Sequence, residues 1–156
     1  MEPWGWEEPA ADHDETESGR APTGAMRLVA EVVGGRSVVT AAERSAPFHS
    51  SPAAYLDPAR RVPEVIVQGV GPGIFPGDRL RAEIAVGPGA ALIVRGQGAT
   101  KAYPSESGAE ARSETILTVA EGGALWWLPG ELIPFRAAIF RQETVAHLAP
   151  SARLAL

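Results

Sequence analysis

Residues 69–103, GVGPGIFPGDRLRAEIAVGPGAALIVRGQGATKAY, carry the strongest structural signal in this chain. It opens with a glycine- and proline-rich turn that carries one acidic residue, Asp78, and it closes on a second glycine turn that ends in Thr100-Lys101-Ala102-Tyr103. Two runs of strand-like composition lie between these turns, Asp78 to Val86 and Ala90 to Arg95. Short strands bounded by glycine- and proline-rich turns predict a β-rich architecture.

Outside this stretch, short apolar runs alternate with turns along the whole chain. A spacing of about 8–12 residues between such runs is typical of an all-β protein. No long stretch shows the i, i+3, i+4, i+7 periodicity of an amphipathic helix. We therefore predict an all-β fold with many short strands and little helix. The further predicted strands are Met26 to Val33, Ser37 to Thr40, Pro63 to Val70, Ser113 to Val119, Ala124 to Leu128, two runs within residues 135–147, and the final SARLAL.

Glycine and proline, 17 and 14 in number, separate these runs. A unit of strand, Gly-Gly or Pro-Gly, and strand recurs at Gly34, Gly87 and Gly122, and we interpret it as a series of β-hairpins without an exact internal repeat. Residues 45–63 contain four prolines, which predict a long irregular connection.

The composition fits a soluble globular protein with one main domain. The 156 residues are 45% apolar and 21% charged, a balance typical of such proteins. The absence of cysteine excludes disulfides, thiolate metal sites and cysteine nucleophiles. No apolar run approaches the roughly 20 residues that span a bilayer. The N-terminus is acidic where a secretory signal would be basic, so we expect a cytoplasmic protein that does not contact membranes.

The negative charge is concentrated at the N-terminus. Residues 1–24 hold seven acids and one base, whereas the remainder holds twelve acids and thirteen bases. We predict a disordered acidic tail over residues 1–25 and a β domain over residues 26–156, because the tail has too little apolar surface to offset its ordering entropy. Trp4 and Trp6 are either incidental or a short docking motif. No basic patch with interleaved aromatic residues supports binding of nucleic acid.

The residues alone give no positive case for a catalytic or permanent metal site. His13, His49 and His147 are scattered without the spacing of metal ligands. The glycine-rich turns do not match phosphate-binding loops, and no nucleophile motif indicates an enzyme. Asp78 follows Pro76-Gly77, and it either caps that turn or has a functional role.

Three motifs then occur in order, namely GPGIFPGDRL (71–80), GQGATKAY (96–103) and LWWLPGELIPFRAAIFRQ (125–142). They resemble the "GG…GD-x-L", "TTQ-x-ATK-x-Y" and "LE-x-LP-x-x-x-IPF-x-x-A-x-F-x-Q" segments of the UreD (UreH) urease accessory protein family. The resemblance spans residues 26–156. Family members continue past the position of Leu156, so this sequence is either a C-terminally truncated piece of a family member or a shortened relative.

The resemblance implies an all-β protein with a stacked, helical arrangement of sheets and no enzyme activity. It implies a scaffold that assists nickel insertion into the urease active site, with apo-urease, UreF-type and UreG-type accessory proteins as partners. Nickel would be a transported ion, with no permanently bound cofactor. Carried over by motif, Asp78 and Glu131 are candidates for a transient nickel passage. Candidates for structural or partner contacts are Lys101, Thr100, Tyr103, Trp126, Trp127 and Gln142.

Two points remain open at the level of sequence. Lys101 needs an acidic partner if it is buried in the β core, because an unpaired buried charge is costly. Trp126 and Trp127 are adjacent in a predicted strand and must face opposite sides, which places one in the core and leaves the other for a partner. An all-β binding module for a small ligand or carbohydrate is the alternative function.

Overall fold

The computed structural model describes residues 21–57, 59 and 61–156, and this part of the chain is all-β. It contains no helix, and hence none long and apolar enough to cross a membrane. The strands are β1 (Gly24–Val33), β2 (Arg36–Arg44), β3 (Phe48–Ser50), β4 (Glu64–Gly69), β5 (Arg79–Val86), β6 (Ala91–Gly96), β7 (Thr100–Ala102), β8 (Ala111–Val119), β9 (Ala124–Leu128), β10 (Leu132–Pro134), β11 (Phe140–Leu148) and β12 (Arg153–Ala155). The predicted fold class is confirmed.

The strands form two five-stranded sheets and one two-stranded sheet. The first large sheet has the order β11-β8-β5-β1-β2, the second has the order β12-β9-β6-β4-β3, and β10 pairs with β7. Only β1–β2 and β3–β4 are antiparallel among these named pairs, and all the others are parallel.

From β5 onward the chain winds through the three sheets in turn, so that successive windings stack as rungs. The first rung is β5-β6-β7, the second is β8-β9-β10, and the third is β11-β12. Thr115 of β8 lies between Ala82 of β5 and Thr144 of β11 in register. Leu125 of β9 likewise lies between Leu92 and Leu154. This winding is the stacked, helical arrangement that the family resemblance implied.

The interpretation of the glycine turns as hairpins is right at Gly34 and wrong at Gly87 and Gly122. The turn at Gly34 joins the antiparallel pair β1–β2. The other two turns carry the chain from the first large sheet to the second, as β5 continues into β6 and β8 into β9. The recurring unit is therefore a structural repeat, one corner of each rung, whose strands pair with the next rung rather than with each other.

The hydrophobic core lies between the inner faces of the two large sheets. Strand β5 alternates between half-buried and buried residues along its whole length, as its sequence RLRAEIAV predicts. The first sheet contributes Leu28, Ile84 and Leu117, and the second contributes Leu92 and Leu125, all of them at most 1% exposed. Complete burial of such a side chain contributes about 1.5–3 kcal/mol, so this layer stabilises the stacked rungs.

Three short strands correct the sequence-based assignment. Phe48–Ser50 forms β3 within the predicted irregular connection, because a three-residue edge strand fits between Pro47 and Pro52. Thr100–Ala102 forms β7 in what was predicted as a turn. Its partner β10 ends at Pro134, before the predicted runs begin. A strand of three residues is too short to show an alternation of apolar and polar side chains in the sequence. Such a strand is recognised only from its pairing with a neighbouring strand.

The first strand begins slightly before the predicted start of the β domain. Strand β1 starts at Gly24, whereas the predicted domain starts at Met26. An added Cβ at Gly24 would lie 2.7 Å from the carbonyl oxygen of Ala46, so this start is closely packed against the chain before β3. Residues 1–20, which include most of the predicted tail with Trp4, Trp6 and His13, lie outside the described residues.

Candidate functional site

A cleft of about 580 Å³ lies at one end of the sandwich, where both large sheets meet the two-stranded sheet. Its walls come from three backbone segments, residues 69–73, 96–101 and 129–132, which are rich in glycine. Side chains of the core close its inner side, Ala82 and Thr115 from the first sheet and Trp127 from the second. The cleft thus follows from the rung architecture, because residues 96–101 and 129–132 belong to the first and second rungs and residues 69–73 follow β4 on the way to the first rung.

Glycine in these walls permits a close approach of one backbone to another. An added Cβ at Gly96 would lie 2.7 Å from the carbonyl carbon of Pro129 and would overlap its oxygen. Gly73 has a φ of 149°, and an added Cβ there would overlap the carbonyl oxygen of Lys101. A side chain at either position would therefore push the walls of the cleft apart.

Backbone hydrogen bonds hold the wall segments together. The N–H of Ile74 donates to the C=O of Lys101 at 2.7 Å, and the N–H of Thr100 donates to the C=O of Glu131 at 2.8 Å. The N–H of Gln97 donates to the C=O of Val67 at 2.9 Å. These bonds connect the second wall to the third and to residues that flank the first wall, so the position of the walls is set by the backbone of the fold.

The cleft brings together five of the residues that the family resemblance singled out. Lys101 and Glu131 supply its charged side chains among the described residues, and both are exposed. Lys101 is therefore not buried in the β core, and it needs no acidic partner to offset burial. The five residues in the lining are Thr100, Lys101, Trp127, Glu131 and Gln142.

Asp78 lies outside the cleft lining, in the turn that leads into β5. Its Oδ2 accepts a hydrogen bond from the N–H of Phe75 at 2.8 Å, and its own N–H donates to the C=O of Phe75 at 3.0 Å. Its C=O also accepts from the N–H of Arg112 at 2.8 Å. Of the two sequence interpretations, these contacts favour the one in which Asp78 caps its turn.

We expect Asp78→Ala to lower the free energy of unfolding by about 1 kcal/mol, the usual contribution of one such hydrogen bond. The physical reason is the loss of the acceptor for the Phe75 N–H. Asp78→Asn is the matched control, because its amide oxygen keeps an acceptor in place. Urea unfolding followed by circular dichroism measures both variants. Equal destabilisation by alanine and asparagine would contradict the capping role and indicate a need for the charge.

Tyr103 also lies outside the lining and belongs to an aromatic cluster that the sequence analysis missed. Its ring stacks on Phe75 with centroids 4.9 Å apart and meets the edge of Phe135 at 5.1 Å. Its hydroxyl donates to the C=O of Pro72 at 3.2 Å. The three rings connect the turn before β5, the residue that follows β7 and the residue that follows β10, although Phe75 and Phe135 are 45% and 39% exposed.

The two adjacent tryptophans of β9 face opposite sides, as predicted. Trp127 is 8% exposed and packs in the core, where it closes the cleft. Trp126 is 38% exposed on the outer face of the second sheet. Trp127 is thus a structural residue, and Trp126 is available for a contact with another protein.

A dedicated metal centre is absent from the described part of the chain. No group of three or more histidine, cysteine, aspartate or glutamate residues comes together there. His49 lies in β3 of the second sheet and His147 lies in β11 of the first. Any divalent ion that passes through the cleft would therefore meet single carboxylates and backbone carbonyls rather than a closed ligand set.

Comparison with known proteins gives a consistent result over nearly all of the described residues. Residues 22–156 match the family model for UreD, described as the UreD urease accessory protein. A urease accessory protein UreD 2 from Methylorubrum extorquens is 37% identical over 132 residues, which are 84% of this chain and 42% of that protein. A UreD from Opitutus terrae is 38% identical over 116 residues, which are 73% of this chain and 41% of that protein.

A third relative, a UreD from Halalkalibacterium halodurans, is 34% identical over 126 residues. These residues are 80% of this chain and 46% of that protein. The chain thus spans less than half the length of the curated relatives that it matches.

Proposed function

The chain belongs to the UreD urease accessory protein family, and from this membership we propose that it serves as a scaffold in urease maturation. In this proposal it binds apo-urease and the UreF-type and UreG-type accessory proteins, and it assists nickel insertion without catalysing a reaction itself. The match over residues 22–156 is the observation that carries the proposal. It includes all twelve strands of the described residues and every residue that lines the cleft.

Within this function, we propose that the cleft lies on the route of the nickel ion. Glu131 is the carboxylate in its lining, and the C=O groups of the glycine-rich walls are further oxygen donors. A single carboxylate holds a hydrated divalent cation weakly enough for release, which a carrier route requires. Lys101 lies on β7, which is paired with the strand that follows Glu131, and its positive charge would oppose stable residence of the ion. Of the two candidates for transient nickel contact, Glu131 is therefore better placed than Asp78.

A binding module for a small ligand or carbohydrate is the second candidate, and the size of the cleft is the observation that favours it. A volume of about 580 Å³ falls within the range of ordinary ligand sites. Sugar sites, however, use exposed aromatic faces. The aromatic residues of the lining are Phe48, Trp127 and Phe140, which are half-buried or buried. The scaffold proposal is therefore preferred.

Co-expression tests the scaffold proposal directly. The full chain is produced with the UreF-type and UreG-type proteins of its host, and the lysate is purified on a tag and separated by size exclusion. We expect a complex that contains all three proteins. Activation of apo-urease is then measured in cells that lack their own UreD. A folded chain that elutes without these proteins and restores no urease activity would contradict the proposal.

Glu131→Gln is expected to lower the nickel content of urease several-fold while the accessory complex still assembles. The substitution removes the negative charge from the cleft and keeps the shape of the side chain. Glu121→Gln is the matched control, because Glu121 is exposed in the turn between β8 and β9 and is not part of the cleft lining. Metal analysis of purified urease measures the effect. Equal nickel contents with the two variants would remove Glu131 from the route.

A further inference from the structure

A row of three arginines crosses the outer face of the first large sheet, at the end next to the cleft. Arg79 of β5, Arg112 of β8 and Arg141 of β11 are register partners, so they follow one another at the spacing of adjacent strands, about 4.8 Å. Leu80, the next residue of β5, is buried and lines the cleft, which places Arg79 on the outer face. Like charges on adjacent positions repel one another, so this arginine row needs carboxylates close by.

Arg79 differs from the other two arginines of the row in its side-chain contacts. The Nε of Arg112 donates to Glu110, and the Nη2 of Arg141 lies 3.5 Å from a carboxylate oxygen of Glu143. The Nη1 of Arg79 is buried and has no hydrogen-bond partner among the described residues. A buried cationic nitrogen without an acceptor is costly, so a further carboxylate at this position would stabilise the protein.

The described carboxylates closest to Arg79 in the sheet already have other partners. Glu83 and Glu114 both bind Arg81, at 2.8 and 3.1 Å. The carboxylate of Asp78 caps its own turn. The acceptor for Arg79 must therefore come from outside this set of side chains.

The surroundings of Arg79 within the sheet do not depend on where the sequence stops. Strand β5 lies between β1 and β8, and β8 in turn lies between β5 and β11. A further winding of the chain would pair with β11 and would leave both strand neighbours of Arg79 unchanged. An absent strand therefore does not account for the unpartnered Nη1 of Arg79.

The acidic N-terminal segment enters the β domain directly beside this arginine. The N–H of Thr23 donates to the C=O of Arg79 at 2.7 Å, and the N–H of Arg79 donates to the Oγ1 of Thr23 at 2.9 Å. Residues 1–20, which precede this anchor, hold seven acids and one base. The six residues from Glu17 to Thr23 can span about 20 Å, whereas the row measures only about 10 Å from Arg79 to Arg141. The acids are therefore within reach of the whole row.

We propose that the acidic segment, residues 1–20, binds back on the arginine row of its own chain and supplies a carboxylate to the Nη1 of Arg79. The carboxylates nearest the anchor in sequence are those of Glu17, Glu15 and Asp14. Contacts between arginine and carboxylate are the strong class of hydrogen bond and require no regular secondary structure in the segment that supplies the carboxylate. The contact uses neither nickel nor an accessory protein, and it is independent of the function proposed above.

Carbodiimide coupling tests this proposal, because it joins an amine to a carboxylate only where the two are in contact. The chain has a single lysine, Lys101, so Arg112→Lys adds one reporter amine to the row and keeps the positive charge. Mass spectrometry of the coupled full chain should find this amine joined to acids within residues 12–17. Arg44→Lys is the matched control, because Arg44 pairs with Met26 of β1, close to the same anchor, and lies outside the row.

We expect several-fold more coupling to residues 1–20 in Arg112→Lys than in Arg44→Lys at physiological salt. In 1 M sodium chloride the two yields should become equal, because the screening length falls from about 8 Å to about 3 Å. Equal yields at physiological salt, or no coupling to the segment at position 112, would overturn the proposal.

A second measurement leaves every residue of the β domain unchanged. The chain has no cysteine, so Ala10→Cys introduces a single thiol that carries a nitroxide label. The amide NMR signals of Arg79 and Arg112 should lose more intensity than the signal of Arg44. Equal losses at Arg112 and Arg44 would show a segment that is only tethered, and would contradict the proposal. A row whose signals shift with inorganic phosphate while the label has no local effect would be a site for free anions, which also contradicts it.

Discussion

Trp127→Ala is expected to lower the free energy of unfolding by about 3–5 kcal/mol, the usual cost of truncating a buried tryptophan. Trp127 is 8% exposed and belongs to the same core cluster as Leu92 and Leu125. Its removal would join a cavity to the cleft whose inner side it closes. Because native domains are stable by only about 5–15 kcal/mol, such a loss approaches the total stability of the fold.

Trp126→Ala is the matched control for this experiment, because it removes the same side chain one residue earlier in the same strand. Trp126 is 38% exposed, so its loss should change the free energy of unfolding by less than about 1 kcal/mol. Urea unfolding must be followed by far-ultraviolet circular dichroism, because both variants alter tryptophan fluorescence. Similar destabilisation by the two substitutions would contradict the assignment of Trp127 to the core and Trp126 to the surface.

The same two variants distinguish an effect on the stability of the free chain from an effect on binding to an accessory protein. If the outer face of the second sheet contacts an accessory protein, Trp126→Ala should weaken the co-purified complex while the free chain stays folded. Trp127→Ala should instead reduce the amount of soluble chain before any complex forms. A complex unaffected by Trp126→Ala would exclude this part of the outer face from the interface.

The sequence predicted the strands with clear alternation and failed where the pairing partner decides the structure. The run RLRAEIAV has period two, and β5 alternates in burial accordingly. The turns at Gly87 and Gly122 could not be assigned from sequence in the same way. A glycine turn between two strands is compatible with a hairpin and equally with a corner between two sheets. Antiparallel and parallel strands both show a period of two. Whether a turn forms a hairpin or a corner therefore depends on contacts between windings that are about thirty residues apart in the sequence.

The arrangement of the candidate site likewise depends on contacts between successive windings. The family resemblance selected Lys101 and Glu131 as single residues, without a relation between them. Pairing of β7 with β10 places Leu132 beside Thr100 and Ile133 beside Lys101, so the stacking of rungs brings the two charged residues to one cleft. Asp78 was selected by the same resemblance and lies outside the cleft, because its motif begins the first rung and serves its turn. The family resemblance supplied the individual candidate residues, whereas their arrangement around the cleft depends on the strand register.

Gly96→Ala is the second substitution with a large expected effect, a loss of about 3 kcal/mol in the free energy of unfolding. This value lies at the upper end of the range for overpacking. The atoms that an added Cβ would meet belong to the backbone. It would overlap the carbonyl oxygen of Pro129 and lie 3.4 Å from the N of Gly130. A flexible side chain could move away at small cost, whereas a displaced Pro129 would disturb the chain between β9 and β10.

Gly98→Ala is the control, since an added Cβ at Gly98 meets nothing within 4 Å and both residues lie in the same wall of the cleft. Removal of a glycine stiffens the unfolded chain equally in both variants, so the difference between them isolates the contact with Pro129. If the cleft lies on the nickel route as proposed, Gly96→Ala should also impair nickel delivery in the urease assay, because it separates the wall that carries Lys101 from the wall that carries Glu131. If Gly96→Ala is as stable as Gly98→Ala, the second rung does not pack on the first as closely as the structure shows. If it is destabilised and still delivers nickel normally, the spacing of the cleft walls does not limit delivery.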